Sequence, residues 1–136
     1  MSKNELQGEE LVALVAKILF EKRAEEVKLI NLEGLSDVCD RFIIGTCGSE
    51  AQMKAVITAL ARGLKTAGVR PIGTDHSSGS RWAVMDMGDL MIHLFEAEHR
   101  KFYSLERLWA DATISELHAE DYISDDLDDE EENEYL

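Results

Sequence analysis

Three sets of side chains in this sequence have the types needed for reaction chemistry or metal binding. They are Gly48-Ser49, the carboxylates Asp86 and Asp89, and the histidines His76, His93, His99 and His118. Magnesium-assisted nucleotidyl transfer sets a Gly-Ser at a helix start and a D-x-D pair on one strand to hold the ion between phosphates. Here the two carboxylates are spaced D-x-x-D around a glycine, 37 positions beyond Ser49. Carboxylates flanking a turn do not point together as a D-x-D pair does. Ser49 reads more simply as a helix N-cap, and Asp89 as a turn residue. The histidines show no HxH or HxxxH spacing for zinc. Asp75 and His76 are candidates to meet His93 in space, although a lone strand histidine is more often a satisfied structural group. Cys39 and Cys47 lie eight positions apart, neither a CxxC redox pair nor zinc-ligand spacing. In a reducing compartment both read as buried thiols. The expectation is therefore no catalytic residue, no metal and no cofactor, with a magnesium-dependent nucleotidyltransferase, active or degenerate, as the alternative.

The elements that carry these residues follow from periodicity. Leu11, Leu14, Val15, Ile18 and Leu19 keep helical spacing within residues 9–24. Residues 27–32 alternate as a strand, and 41–47 form a second, more buried one. Ser49 with Gln52 is a capping-box pattern, followed by the stripe Met53, Val56, Ile57, Leu60 and Leu64, with Gly68 placed to end the helix. Residues 69–74 read as a short strand holding the only proline, Pro71, which favours a sheet edge. Residues 81–87 and 90–95 are strands around the tight turn Gly88-Asp89. Residues 97–112 return to helical spacing through Phe102, Leu105, Leu108 and Trp109. The order α-β-β-α-β-β-β-α implies one α/β (α+β) domain with a mixed sheet of about five strands packed by helices.

A two-residue turn fixes the hairpin register, pairing Trp82 with Phe95, Val84 with His93 and Asp86 with Met91. One face is then wholly apolar, with Ala83, Met85, Met87, Leu90, Ile92 and Leu94, and belongs to the core. The other mixes Trp82, Val84, Asp86, Met91, His93 and Phe95. A buried face rarely keeps an unpaired carboxylate, and a solvated one rarely carries Trp opposite Phe. Two readings stand: a protein–protein contact, whose centre favours large rings, or a face covered by a helix with Trp82 in the core.

Charge is unevenly placed. The net charge is −14, but residues 116–136 hold eleven acids and no Lys or Arg, leaving 17 acids against 14 bases in residues 1–115. The nearly balanced part shows no basic stripe of the kind that neutralises phosphates, so direct nucleic-acid binding is not expected. The expected organisation is a flexible segment 1–8, a domain 9–115 and a solvated, disordered acidic tail 116–136. No apolar run is long enough to span a bilayer. The start, MSKNELQGEE, does not read as a secretory signal. A cytoplasmic protein without membrane contact is expected.

The run Trp82-Ala-Val-Met-Asp86-Met-Gly88-Asp89-Leu-Met-Ile-His93-Leu-Phe95 resembles the W-x-x-x-D-x-G-D-x-x-x-H-x-F/M core of the ribosomal silencing factors, also called Iojap-like proteins. The run from Arg100 through Tyr103, Leu105, Glu106 and Trp109 to Asp111-Ala112 is similar to that family's ending. Asp40-Arg-Phe-Ile-Ile44 and Ser49-x-x-Gln52 match two further motifs. The similarity spans roughly residues 9–115; the family pattern has Gly where this chain has Cys47, and Glu-Gly at Asp75-His76. The resemblance implies a nucleotidyltransferase-like fold without known catalysis. It also implies binding to ribosomal protein number fourteen of the large subunit, steric blocking of subunit joining, and repression of translation when nutrients are short. The family's contact region matches Trp82, Met87 and Phe95, and Asp86 lies among them. This favours the exposed reading of the mixed face, which would also allow self-pairing into a homodimer.

Overall fold

Among the described residues, apolar periodicity, caps and one tight turn build a six-stranded sheet with two α-helices packed on one face. The computed structural model describes residues 8–35, 37, 39–76, 81–97 and 112–123. Helix α1 (Gly8–Glu21) buries Leu11, Val12, Val15, Ala16, Ile18 and Leu19. Two residues past its end, Arg23, with φ +66°, turns the chain into β1 (Glu25–Asn31). Strand β2 (Arg41–Cys47) follows, and then α2 (Glu50–Thr66). At the start of α2 the Ser49 hydroxyl accepts from Gln52 N at 3.1 Å, and the Gln52 side chain accepts from Gly48 N at 2.6 Å. The Ser49 half of the capping pattern read from the sequence is thus made, while the Gln52 half falls one residue earlier, on Gly48 N rather than Ser49 N. At the other end Gly68, with φ +81°, donates back to Lys65 O and stops the helix.

The chain then forms β3 (Gly73–Asp75), β4 (Trp82–Asp86), β5 (Leu90–Glu96) and β6 (Thr113–Glu116). Strand order across the sheet is β3-β4-β5-β2-β1-β6. Among the described strands only the β2–β5 pair is parallel; the others are antiparallel. β2 and β5 therefore sit in the middle, and β2 is buried from Phe42 through Cys47. Both helices pack on one face through Ile43, Ala83, Met85, Leu90, Ile92 and Leu94. A second apolar cluster of Ile30, Leu32, Cys39, Phe42, Ile44 and Phe95 lies on the opposite face.

Three sequence expectations change here. The strand expected over 69–74 is shorter and shifted to 73–75, because Val69 N still bonds back to Leu64 O of α2 and Pro71 has no N–H to give a ladder. The sheet has six strands rather than about five. The sixth, β6, pairs with β1 where the sequence reading ended the domain, and Tyr122 beyond it stacks on Phe20 of α1 with ring centroids 5.9 Å apart. Leu117 and Tyr122 thus pack against the core. The helix expected over 97–112 lies almost wholly outside the described residues, as do 1–7 and 124–136. Cys47, where the family pattern has glycine, closes β2 in extended backbone.

Candidate functional site

The β4–β5 hairpin pairs as its turn requires: Trp82 with Phe95, Val84 with His93, and Asp86 with Met91. Alternation then puts these six side chains on the face away from α1 and α2. Trp82 stacks on Phe95 with centroids 5.3 Å apart and 22° between planes. The indole Nε1–H also donates to His93 Nδ1 at 3.2 Å. On the next strand Phe42 meets His93 edge-on at 4.5 Å. Trp82 is thus held by a ring beneath it and a hydrogen bond beside it.

His93 is 5% exposed, and burial lowers its pKa from 6.5 to about 4. It is neutral at physiological pH. Because Nδ1 accepts from Trp82, the ring proton sits on Nε2. That Nε2–H is buried and meets no acceptor among the described residues. Asp75 shares the row Asp75–Val84–His93 across three strands, which leaves Asp75 and His93 two strand spacings apart, roughly 9.5 Å. Asp75 is exposed and His76 half-buried.

The water-facing aromatic pair expected from the sequence is corrected in one half. Trp82 is half-buried, but Phe95 is only 1% exposed. Phe95 lies on the central strand β5 between Trp82 and Thr46 and joins the second apolar cluster, so its ring supports the site from beneath. Val84, Asp86 and Met91 are half-buried. At the far end of the hairpin the Asp86 carboxylate accepts from Gly88 N at 2.8 Å and shapes the turn, where Gly88 holds φ +92°. Met87 packs towards the helix side and lines a cavity of about 270 Å³ with Arg41, Arg70 and Ile72. Ile72, 72% exposed, stands beside Gly88. The sequence reading missed this apolar ground, because Ile72 looked like a strand residue.

No group of three or more His, Cys, Asp or Glu suited to a metal comes together among the described residues. Both thiols are buried; burial pushes Cys39 up and Cys47 up to about 11, which makes both poor nucleophiles. No described helix is long and apolar enough to cross a membrane.

On the sheet face opposite α1 and α2, this mixed-sheet α+β domain carries a pinned, half-buried tryptophan. The chain belongs to the ribosomal silencing factor family: the family described as ribosomal silencing factor during starvation matches residues 5–135. The ribosomal silencing factor RsfS of Halalkalibacterium halodurans is 32% identical over 112 residues, covering 82% of this chain and 96% of the relative. That of Bacillus subtilis is 30% identical, covering 79% and 91%. A crystal structure of a Chromobacterium violaceum protein superposes with a TM-score of 0.73 at 26% identity, covering 77% of this chain and 88% of that one.

Proposed function

We propose that this chain silences ribosomes as a steric, non-catalytic factor in the cytoplasm. It docks through the hairpin surface around Trp82, Asp86 and Met87 on ribosomal protein number fourteen of the large subunit, and its bulk keeps the small subunit from joining. The carrying observation is the Trp82 indole, half-buried rather than sealed, and fixed by Phe95 and His93. An aromatic anchor that is already ordered loses little entropy on binding, and such residues dominate contact energies. Phe95 acts beneath this surface, and Met87 with Ile72 extends it at the hairpin tip. A stable contact of this kind buries on the order of 1,200–2,000 Å² in total.

Sedimentation of the chain with separated ribosomal subunits tests the reading. Recovery with the large subunit alone, together with blocked reassociation, is the expected result. Truncating a central Trp costs ~2 kcal/mol or more, so Trp82→Ala should weaken large-subunit binding roughly thirtyfold at about 1.4 kcal/mol per decade. Circular dichroism of the same variant must show the fold retained. Equal recovery with both subunits would end the proposal. If the same patch also pairs two copies, the large subunit and a second copy will compete for it.

A further inference from the structure

Folding sorts charge in a way the linear sequence conceals. Along the solvent side of α2, Lys54, Ala55, Thr58, Ala61, Arg62 and Lys65 are exposed, and none of α2's outward positions from 51 to 66 is acidic. Lys54, Arg62 and Lys65 have no ion pair among the described residues. An exposed helix usually alternates its charges to gain i,i+4 pairs. Here Thr58 and Ala61 stand where those acids would be. The three bases span on the order of 16 Å of helix over low, small side chains. A surface of this kind suits an extended polyanion, in a chain whose net charge is −14.

The same chain contains such a polyanion. Residues 125–134 carry eight acids and no base. Tyr122, one residue before the last described one, lies on the helix side of the sheet and packs against Phe20 of α1. α1 in turn packs against α2, with the Ile18 side chain next to Gly63. Thirteen residues follow Ile123. At ~3.3 Å each they reach roughly 43 Å, ample to cross α1 and lie along α2. Tethering gives the segment an effective concentration in the millimolar range. We infer that the outer face of α2 is a polyanion-binding surface and that the chain's own acidic run, 125–134, is its occupant. The contact guards the three bases against other polyanions, RNA above all. It lies on the opposite side of the sheet from Trp82, so it is separable from docking through the hairpin.

A nitroxide attached to the full chain at Glu130→Cys tests this. Cys39 and Cys47 are buried and escape labelling. Amide relaxation over residues 54–66 should rise severalfold at about 0.01 M salt, where charges reach ~30 Å, and return to the unlabelled rate at 1 M, where they reach ~3 Å. The surface triple variant K54E/R62E/K65E should abolish the effect even at low salt. A single-stranded RNA oligonucleotide should bind α2 at least tenfold more tightly once the acids of 125–134 are changed to Asn and Gln. Relaxation spread evenly over the molecule at low salt would overturn the inference. RNA binding to α2 of the unaltered chain, with no tail effect there, would overturn it in favour of RNA as the occupant. Unchanged binding of the triple variant to the large subunit is expected, so failure here is distinguishable from failure of the docking reading.

Discussion

The Trp82 indole N–H donates to the unprotonated Nδ1 of His93, so the most exposed ring of the hairpin and its most buried imidazole hold each other in one state. Protonating His93 places a proton where the indole proton already points. The folded pKa of about 4 lies below the unfolded value of 6.5, so between those values the unfolded chain binds more protons. The stability tied to this neutral imidazole is complete above pH 6.5 and is lost as pH falls towards 4. At 1.36 kcal/mol per pH unit the loss comes to roughly 3 kcal/mol. Urea unfolding at pH 7 and pH 4 should show this loss in the parent chain, and clearly less of it in His93→Gln. Equal losses in both would show that other groups carry the acid sensitivity.

The burial of Phe95 separates two roles that its sequence position had merged. Phe95→Ala should cost about 3–5 kcal/mol of stability, as large-to-small changes of buried aromatics do. Trp82→Phe keeps the stacked ring but leaves Nδ1 of His93 without a donor, a cost of about 1–3 kcal/mol. Denaturant midpoints of the two variants check the ordering. A mild Phe95→Ala would mean that this ring does not support the sheet.

What the sequence displayed and what it hid have physical reasons. The β4–β5 pairing was legible because a two-residue turn leaves one register and alternation then assigns faces. The ends of α2 were legible because Ser49, Gln52 and Gly68 act through local hydrogen bonds. Burial of His93 and Phe95 was not, because it depends on β2 lying parallel to β5, a crossover pairing of residues about 50 positions apart. β6 was hidden because Thr113–Glu116 is exposed at every position and carries no buried alternation, so only its ladder with β1 reveals it. The α2 stripe was hidden because its three bases are separated by the apolar residues that face the core.

Helix packing supplies a prediction independent of function. A Cβ built on Gly63 would stand 2.6 Å from Ile18 Cδ1, so the missing side chain sets how closely α1 and α2 approach. Gly63→Val should force Ile18 off its rotamer and destabilise the domain by about 1–3 kcal/mol. Restoring room with Ile18→Ala in the same chain should recover part of that loss, a coupling that a double-mutant cycle measures. Purely additive losses would locate the damage elsewhere.

Asp86 closes the comparison of readings, because its oxygen and its charge can be removed separately. Oδ1 accepts from Gly88 N at 2.8 Å, and an amide oxygen can do the same. Asp86→Asn should therefore keep the turn and the stability of the parent, whereas Asp86→Ala leaves that N–H unanswered and costs about 1 kcal/mol. If the carboxylate meets a basic ribosomal surface, Asp86→Asn should weaken large-subunit binding without unfolding the chain, and high salt should narrow the difference between the two. A nucleotidyltransferase would behave otherwise: magnesium-dependent nucleotide binding would be present in the parent chain and abolished in Asp86→Asn. Calorimetric titration of both proteins with a nucleoside triphosphate and magnesium separates the two, and binding lost with the charge would replace steric silencing with catalysis as the reading of this hairpin.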